Sequence, residues 1–281
     1  MLFYITQALF QYWNGYTGAS LYEPWSLSMF NTLFTSLPVI FLGIFEKDLA
    51  ASTLLAIPEL YQKGPQNRGF NFQVYFAWMA LAICQAMITY FLMFALYAPN
   101  LTVDQGVYGF GVLTFSICIT VINAKCQLIE THNKSLMAAI SLFLSFGGWW
   151  LWNIILASLF QPDASNNVIH NVHHSLFSHF GSEANWWLTF ILGVAACLLL
   201  DVAVITTRVA FWPDEDDVFR EIEKSRDMRK RLEEEASDEL QQGWKRGSWR
   251  GDGEVVAEGE RERREMEMEE MVEARFGKVR T

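Results

Sequence analysis

Polar side chains inside an otherwise apolar run are the residues of this chain with chemistry to offer, and one run concentrates them. Between Ser26 and Asp48 the sequence reads LSMFNTLFTSLPVIFLGIFEK. About 20 residues at roughly 1.5 Å of helical rise each match a hydrocarbon core of about 30 Å, so this stretch is long enough to cross a bilayer. It nevertheless carries Asn31, Thr32, Thr35 and Ser36, with Pro38 near its middle. Proline removes a backbone donor and kinks a helix, which frees carbonyls. Lipid tolerates such a break only where neighbouring helices or a polar path satisfy the freed groups. A broken span that carries Asn31, Thr35, Ser36 and Pro38 is therefore expected to face protein or cargo, not hydrocarbon. The alternative is that the same side chains only join helices together.

Other polar groups lie in further apolar runs. Asp201 sits about two turns before the end of the last run; a carboxylate there could bind an ion, or be paired or snorkel in a structural role. Gln85, Asn123 and Asn153 read as interhelical hydrogen-bond donors, and Gly147-Gly148-Trp149-Trp150-Leu151-Trp152 as close helix packing beside rings. His170, His173, His174 and His179 crowd one loop, but their spacing matches no established metal site, so no metal ligand is assigned. Cys84, Cys118, Cys126 and Cys197 show no C-x-x-C spacing and read as small core residues. Gly251-Asp252-Gly253 has no strand before it and no apolar helix after it. No phosphate loop, Rossmann glycine pattern or nucleophile elbow is present, and no catalytic residue is assigned.

The elements that must position these groups form an all-α, polytopic helical membrane protein. Of 281 residues 52% are hydrophobic and the formal net charge is −10, but the charges are unevenly placed. Five Lys and Arg and nine Asp and Glu precede Thr207, whereas sixteen and twenty-two follow from there on. Residues 1–212 are a membrane domain and 213–281 an acidic tail; the negative balance of both excludes nucleic acid as the main partner. Met1 to Trp13 is too short to span and reads as part of a helix. Full spans follow at the kinked stretch and at about 74–97, 107–124, 136–160 and 186–207. Loops 14–25, 98–106 and 161–184 contain no Lys or Arg, while loops 46–73 and 125–135 and the tail hold all of them. Positive loops stay cytosolic, so the tail is expected in the cytosol. On that topology the sequon at Asn100 would face the exterior and the one at Asn133 the cytosol. The N-terminus shows no cleavable signal. In the tail, Pro213 and Asp214–Asp217 suit a helix start, a charged helix through about Gln241 is expected, Gly243–Gly253 reads as a break, and a second helix over Glu258–Arg275. Apolar positions there are too sparse for an independent core, which predicts disorder or folding on a partner. Arg226–Arg231 and Lys245–Arg250 could touch anionic lipid, or be simply solvated.

The order of motifs resembles the region from the fifth to the sixth helix of phospholipid flippases, the lipid-translocating class of P-type ATPases. The residues that carry the resemblance are Asn14-Gly15-Tyr16-Thr17-Gly18, Leu21-Tyr22, Trp25, Phe30-Asn31, Phe34-Thr35-Ser36-Leu37-Pro38 and Leu42-Gly43-Ile44-Phe45-Glu46. Pro58-Glu59-Leu60-Tyr61 with Phe70-Asn71 resembles the family's next cytosolic loop, and Leu198-Leu199-Leu200-Asp201 the end of its tenth helix. By this resemblance, over about residues 1–212, the chain corresponds to part of the fifth helix, helices six to ten and a regulatory-type tail, in a fungal subclass. Asn31 matches a sixth-helix asparagine implicated in handling the lipid headgroup, and Pro38 a nearby family proline, so the resemblance implies Asn31, Thr35, Ser36 and Pro38 as the candidate substrate-binding residues.

The resemblance implies phospholipid as substrate, a two-span accessory subunit as partner, and a Golgi, endosomal or plasma membrane location. It also implies ATP and Mg2+ in the full-length enzyme but no cofactor in this chain. The family's phosphorylated D-K-T-G-T motif is absent, as is the Lys-Asn pair of the fifth helix, and Ala19 stands where the family often has Gln. The expectation is a truncated gene model, a split product or a fragment that cannot hydrolyse ATP by itself. The rival readings are a non-enzymatic multi-span scaffold whose acidic tail recruits cytosolic partners, and a small secondary transporter. The transporter is disfavoured by the single Pro-broken span and the lack of a repeat.

Overall fold

The structure is a computed structural model that describes residues 1–47, 49–57, 60, 71–98, 106–130, 136–159, 172–248, 263 and 266. Among them every regular element is helical. Five helical segments are long and apolar enough to cross a membrane: 24–45, 72–97, 107–127, 136–159 and 184–211. Their positions agree with those expected from hydropathy, and the chain is an integral, multi-pass membrane protein.

The described residues fall into two compact units, residues 1–46 with 72–203, and residues 47–71 with 204–281. The first unit begins with α1 (Leu2–Trp13). A turn follows in which Gly15, Tyr16 and Gly18 adopt positive φ, and Asn14 closes it with a hydrogen bond to the Thr17 hydroxyl at 2.6 Å. The first span is interrupted: α2 (Pro24–Met29), a π-helical segment over Phe30–Phe34, and α3 (Ser36–Phe45). Proline occupies the first position of α2, where its missing N–H costs nothing, and the Glu23 carboxylate accepts from the backbone amides of Trp25 at 2.8 Å and Ser26 at 2.6 Å.

The second unit opens with α4 (Ala51–Ala56). Back in the first unit, α5 (Phe72–Leu92) ends in a π segment over Met93–Tyr97. Then come α6 (Val107–Ala124), continued by a π segment over Lys125–Glu130, and α7 (Leu136–Leu159). The short α8 (Ser175–Ser178) precedes the long α9 (Ala184–Phe211).

Burial shows which span is central. Of the most apolar window of 107–127, 78% of the residues are buried, against at most 28% in the other four spans. The glycines and small polar residues of α6 permit this. At Gly111 a Cβ would lie 2.2 Å from the Leu21 carbonyl oxygen, so only glycine lets the loop before α2 cross there. Rings fill the space around α6: Phe115 and Trp149 have centroids 4.8 Å apart, and Phe34 meets Trp149 edge-on at 5.1 Å. Their polar edges are satisfied, with the Trp149 indole N–H donating to Ser116 Oγ at 2.9 Å and that of Trp186 to the Gly109 carbonyl at 3.1 Å.

The second unit also holds α10 (Glu215–Glu223) and α11 (Arg226–Ser248), the latter running through Gly243 and Trp244, where a break was expected. Sparse as its apolar residues are, the tail does contribute to a core. Val218, Ile222 and Leu232 are buried together, and the partly buried Phe219 and Met228, with Ala56 and Ile57 of the α4 region, pack against them. The expected helix over 258–275 and the two sequons lie outside the described residues, apart from the helical residues 263 and 266.

Candidate functional site

The broken first span is where backbone and side-chain chemistry meet. Pro38 has no N–H, so the carbonyl four residues earlier, Phe34, loses its intrahelical donor. That carbonyl accepts from Asn123 Nδ2 of α6 at 2.9 Å. One helical turn further along α6, Gln127 Nε2 donates to the carbonyl of Pro38 itself at 2.9 Å. Two carboxamides four residues apart thus hold the broken turn at two points. Both are buried, with Asn123 at 1% and Gln127 at 3% exposure. The Phe34 ring, fully buried against Trp149, anchors the same turn from the other side.

The four residues singled out from the sequence lie over the two turns around the break but differ in what they offer. Pro38 is buried. The Thr35 hydroxyl donates to the Phe30 carbonyl at 3.1 Å and the Ser36 hydroxyl to the Thr32 carbonyl at 2.6 Å, so both serve the irregular backbone first. Asn31 is exposed, and its side chain makes no hydrogen bond among the described residues. Its carboxamide offers two donors and an acceptor on an apolar span.

Asp201 is fully buried and ion-paired rather than open to an ion. Its Oδ1 lies 2.8 Å from Lys125 Nζ, and its Oδ2 accepts from Gln85 Nε2 at 2.7 Å. Lys125 also lies over the Trp78 ring, 4.6 Å from its centroid. Asn153 donates to the carbonyl of Trp149 within its own helix at 2.9 Å, so it does not act as the interhelical donor expected. Among the described residues no three His, Cys, Asp or Glu side chains gather as metal ligands; His173 and His174 are ring neighbours and His170 lies outside the described residues.

Sequence reasoning passed over Gln127 and Lys125. The signal for Gln127 was its spacing of four from Asn123, which puts both on one helix face. The signal for Lys125 was a cation next to a span that ends near Asp201, the other intramembrane charge.

A bundle of apolar helices around one buried span, with a polar break in another, defines a polytopic helical membrane protein. The family is narrower than that. The model of the phospholipid-translocating P-type ATPase C-terminal family matches residues 1–214, and the chain belongs to that family. It is 40% identical over 242 residues to the probable phospholipid-transporting ATPase DNF3 of Saccharomyces cerevisiae, covering 86% of this chain and 14% of that protein. It is 38% identical over 239 residues to the phospholipid-transporting ATPase dnf1 of Schizosaccharomyces pombe (85% of this chain, 15% of the relative). With the human phospholipid-transporting ATPase IC the identity is 30% over 249 residues, covering 85% and 19%. The chain thus spans less than a fifth of the length of these relatives.

Proposed function

We propose that this chain is the C-terminal membrane part of an ATP-driven phospholipid translocase, which moves lipid from the exoplasmic to the cytosolic leaflet past the broken first span. The supporting observation is Asn31, an exposed carboxamide with no hydrogen-bond partner among the described residues, on an apolar span about one turn from Thr35 and Ser36 and two from Pro38. The headgroup meets Asn31 and its hydroxyl neighbours while the acyl chains stay in lipid. ATP and Mg2+ act on the part of the intact pump that carries the phosphorylated aspartate. No D-K-T-G-T motif occurs in these 281 residues, so none of them is assigned a step of nucleotide chemistry. The distribution of Lys and Arg supports a cytosolic tail, with residues 1–212 as the membrane domain and 213–281 as a regulatory tail. A two-span accessory subunit, and a Golgi, endosomal or plasma membrane location, complete the reading.

Hydrogen bonds to a headgroup in a partly wet groove are exchanged against water and contribute only about 0.5–1.5 kcal/mol each. Asn31→Ala in an intact pump carrying this chain is therefore expected to lower or re-specify lipid transport by about tenfold or less, with membrane insertion unchanged. Fluorescent-lipid uptake compared across headgroups measures this. Unchanged headgroup selectivity would remove Asn31 from the path.

A further inference from the structure

We propose that Asn123 and Gln127 of the central helix are positioning residues for headgroup selection: together they set the geometry of the broken turn that presents Asn31. The proposal rests on the reading of Asn31 given above and goes one step behind it, to side chains that no substrate touches.

The first observation is the match between donor and defect. The carbonyl that Pro38 deprives of its donor is the one Asn123 reaches, and the carbonyl of Pro38 itself is the one Gln127 reaches. The Asn123 bond would not be needed at an unbroken helix, whose carbonyls are satisfied within their own segment, and the Gln127 bond adds a second donor to a carbonyl in the first turn of α3. The second is irregularity on both sides of the contact. Phe30–Phe34 is a π segment, and Gln127 itself lies in the π segment Lys125–Glu130, against which α3 packs. Single π turns inside α-helices concentrate at functional sites, because they rotate side chains out of the regular register. The third is incomplete satisfaction. Asn123 Oδ1 and Gln127 Oε1 are buried with no hydrogen-bond partner among the described residues. Each carboxamide therefore keeps an acceptor that the bond to the broken span does not use.

Asn31 lies three residues before Phe34 and seven before Pro38, so the two clamped carbonyls lie on the C-terminal side of the turn that bears it. Releasing either carbonyl lets the turn relax and moves the Asn31 carboxamide relative to the path, without touching the lipid. Asn123→Leu keeps most of the side-chain volume and removes the donor. Gln127→Leu does the same at a carbonyl that retains its place in a regular helix, and is the milder variant.

The test uses an intact pump carrying this chain, with two readouts. The first is the rate of thiol alkylation at Thr32→Cys, an exposed position on the π segment, relative to the parent without that cysteine. It is expected to change several-fold in Asn123→Leu and in Gln127→Leu. The second is the ratio of kcat/KM between two headgroups. It is expected to shift about tenfold in Asn123→Leu, and Asn31→Ala/Asn123→Leu is expected to be no worse than Asn31→Ala alone, because one residue acts through the other. An alkylation rate unaffected by both leucine variants, or fully additive effects on the headgroup ratio, overturns the proposal. If Asn123→Leu does not reach the membrane, Pro38→Ala/Asn123→Leu returns a backbone donor to the Phe34 carbonyl and is expected to do so; its failure to restore insertion also counts against the clamp. A changed alkylation rate together with an Asn31→Ala variant of normal selectivity sinks the headgroup reading of Asn31 and leaves the clamp standing.

Discussion

At the scale of single residues, the fully buried Asp201 shows how this membrane domain handles a charge. Its carboxylate is shared between Lys125 Nζ and Gln85 Nε2, and Lys125, 16% exposed, reaches it beneath the Trp78 ring. Attraction between two desolvated charges does little more than offset the cost of removing them from water, but stranding one of them is expensive. Lys125→Met leaves a buried carboxylate with one neutral donor and is expected to cost about 3–5 kcal/mol of stability. Asp201→Asn keeps an acceptor for Gln85 and leaves a cation that can move toward water along its own stem, so it is expected to be milder. The double variant should recover most of the Lys125→Met loss. Thermal unfolding of the purified protein in detergent across this cycle measures the coupling, and additive losses would mean that the pair is incidental. That Asp201 needed a partner was legible in the sequence. Which partner was not, because Lys125 lies 76 residues away and its direction depends on a π turn that no residue pattern announces.

At the scale of elements, hydropathy located every span because the bilayer sets length directly. The expected 74–97 and 186–207 emerge as 72–97 and 184–211, longer at the N-terminal ends by two residues each. Pro38 likewise made the break in the first span predictable. Its form, a π segment one turn earlier, was not, since it is settled by what α6 offers to the loose carbonyls. Loop crossings escape sequence reading for the same reason: Gly111 looks like any glycine of an apolar helix until the Leu21 backbone is found above it. The loop there is pinned further by Gln7, whose Oε1 accepts from the Leu21 amide at 3.1 Å, and by Gln11, which donates to the Ala19 carbonyl. Gly111→Ala would force backbone against Cβ, a contact that no rotamer relieves. The expected penalty is about 1–3 kcal/mol, together with greater proteolytic sensitivity of the loop 14–23. Limited proteolysis and a detergent melting curve check both, and an unchanged melting temperature would mean that the crossing is loose.

At the scale of the whole molecule, the tail is the charged helical segment that the sequence predicts, without a core of its own, and the reason is one of counting. Its apolar residues are too few for a core when taken alone, yet Ala56 and Ile57, more than 150 residues earlier, supply the missing side of the cluster around Val218, Ile222 and Leu232. Within the same unit the Glu223 carboxylate accepts from the Ala50 amide at 2.8 Å and from the Thr53 hydroxyl, so a tail residue holds the start of the short α4. The start of α10 is fixed electrostatically. Asp214 and Asp217 form a capping box, and Asp217 binds Arg208 at 2.9 Å and Arg220 at 3.0 Å. Partial burial pushes the Asp217 carboxyl up, but the Arg208 hydrogen bond, the Asp214 amide and the two guanidinium charges outweigh it and hold the group below the usual carboxylate range. Because its folded value lies below the unfolded one, its contribution is complete above about pH 4 and is lost as the pH falls through the folded value. Amide hydrogen exchange in α10, corrected for the intrinsic rate, is therefore expected to stay flat from about pH 7 to pH 5 and to lose protection at more acid pH. Asp217→Asn keeps the acceptor for the Asp214 amide but not the charge, so it should lower protection at neutral pH and flatten the acid limb. A variant with the same acid limb as the parent would assign that limb to other carboxylates of the tail and leave Asp217 without a role in holding α10.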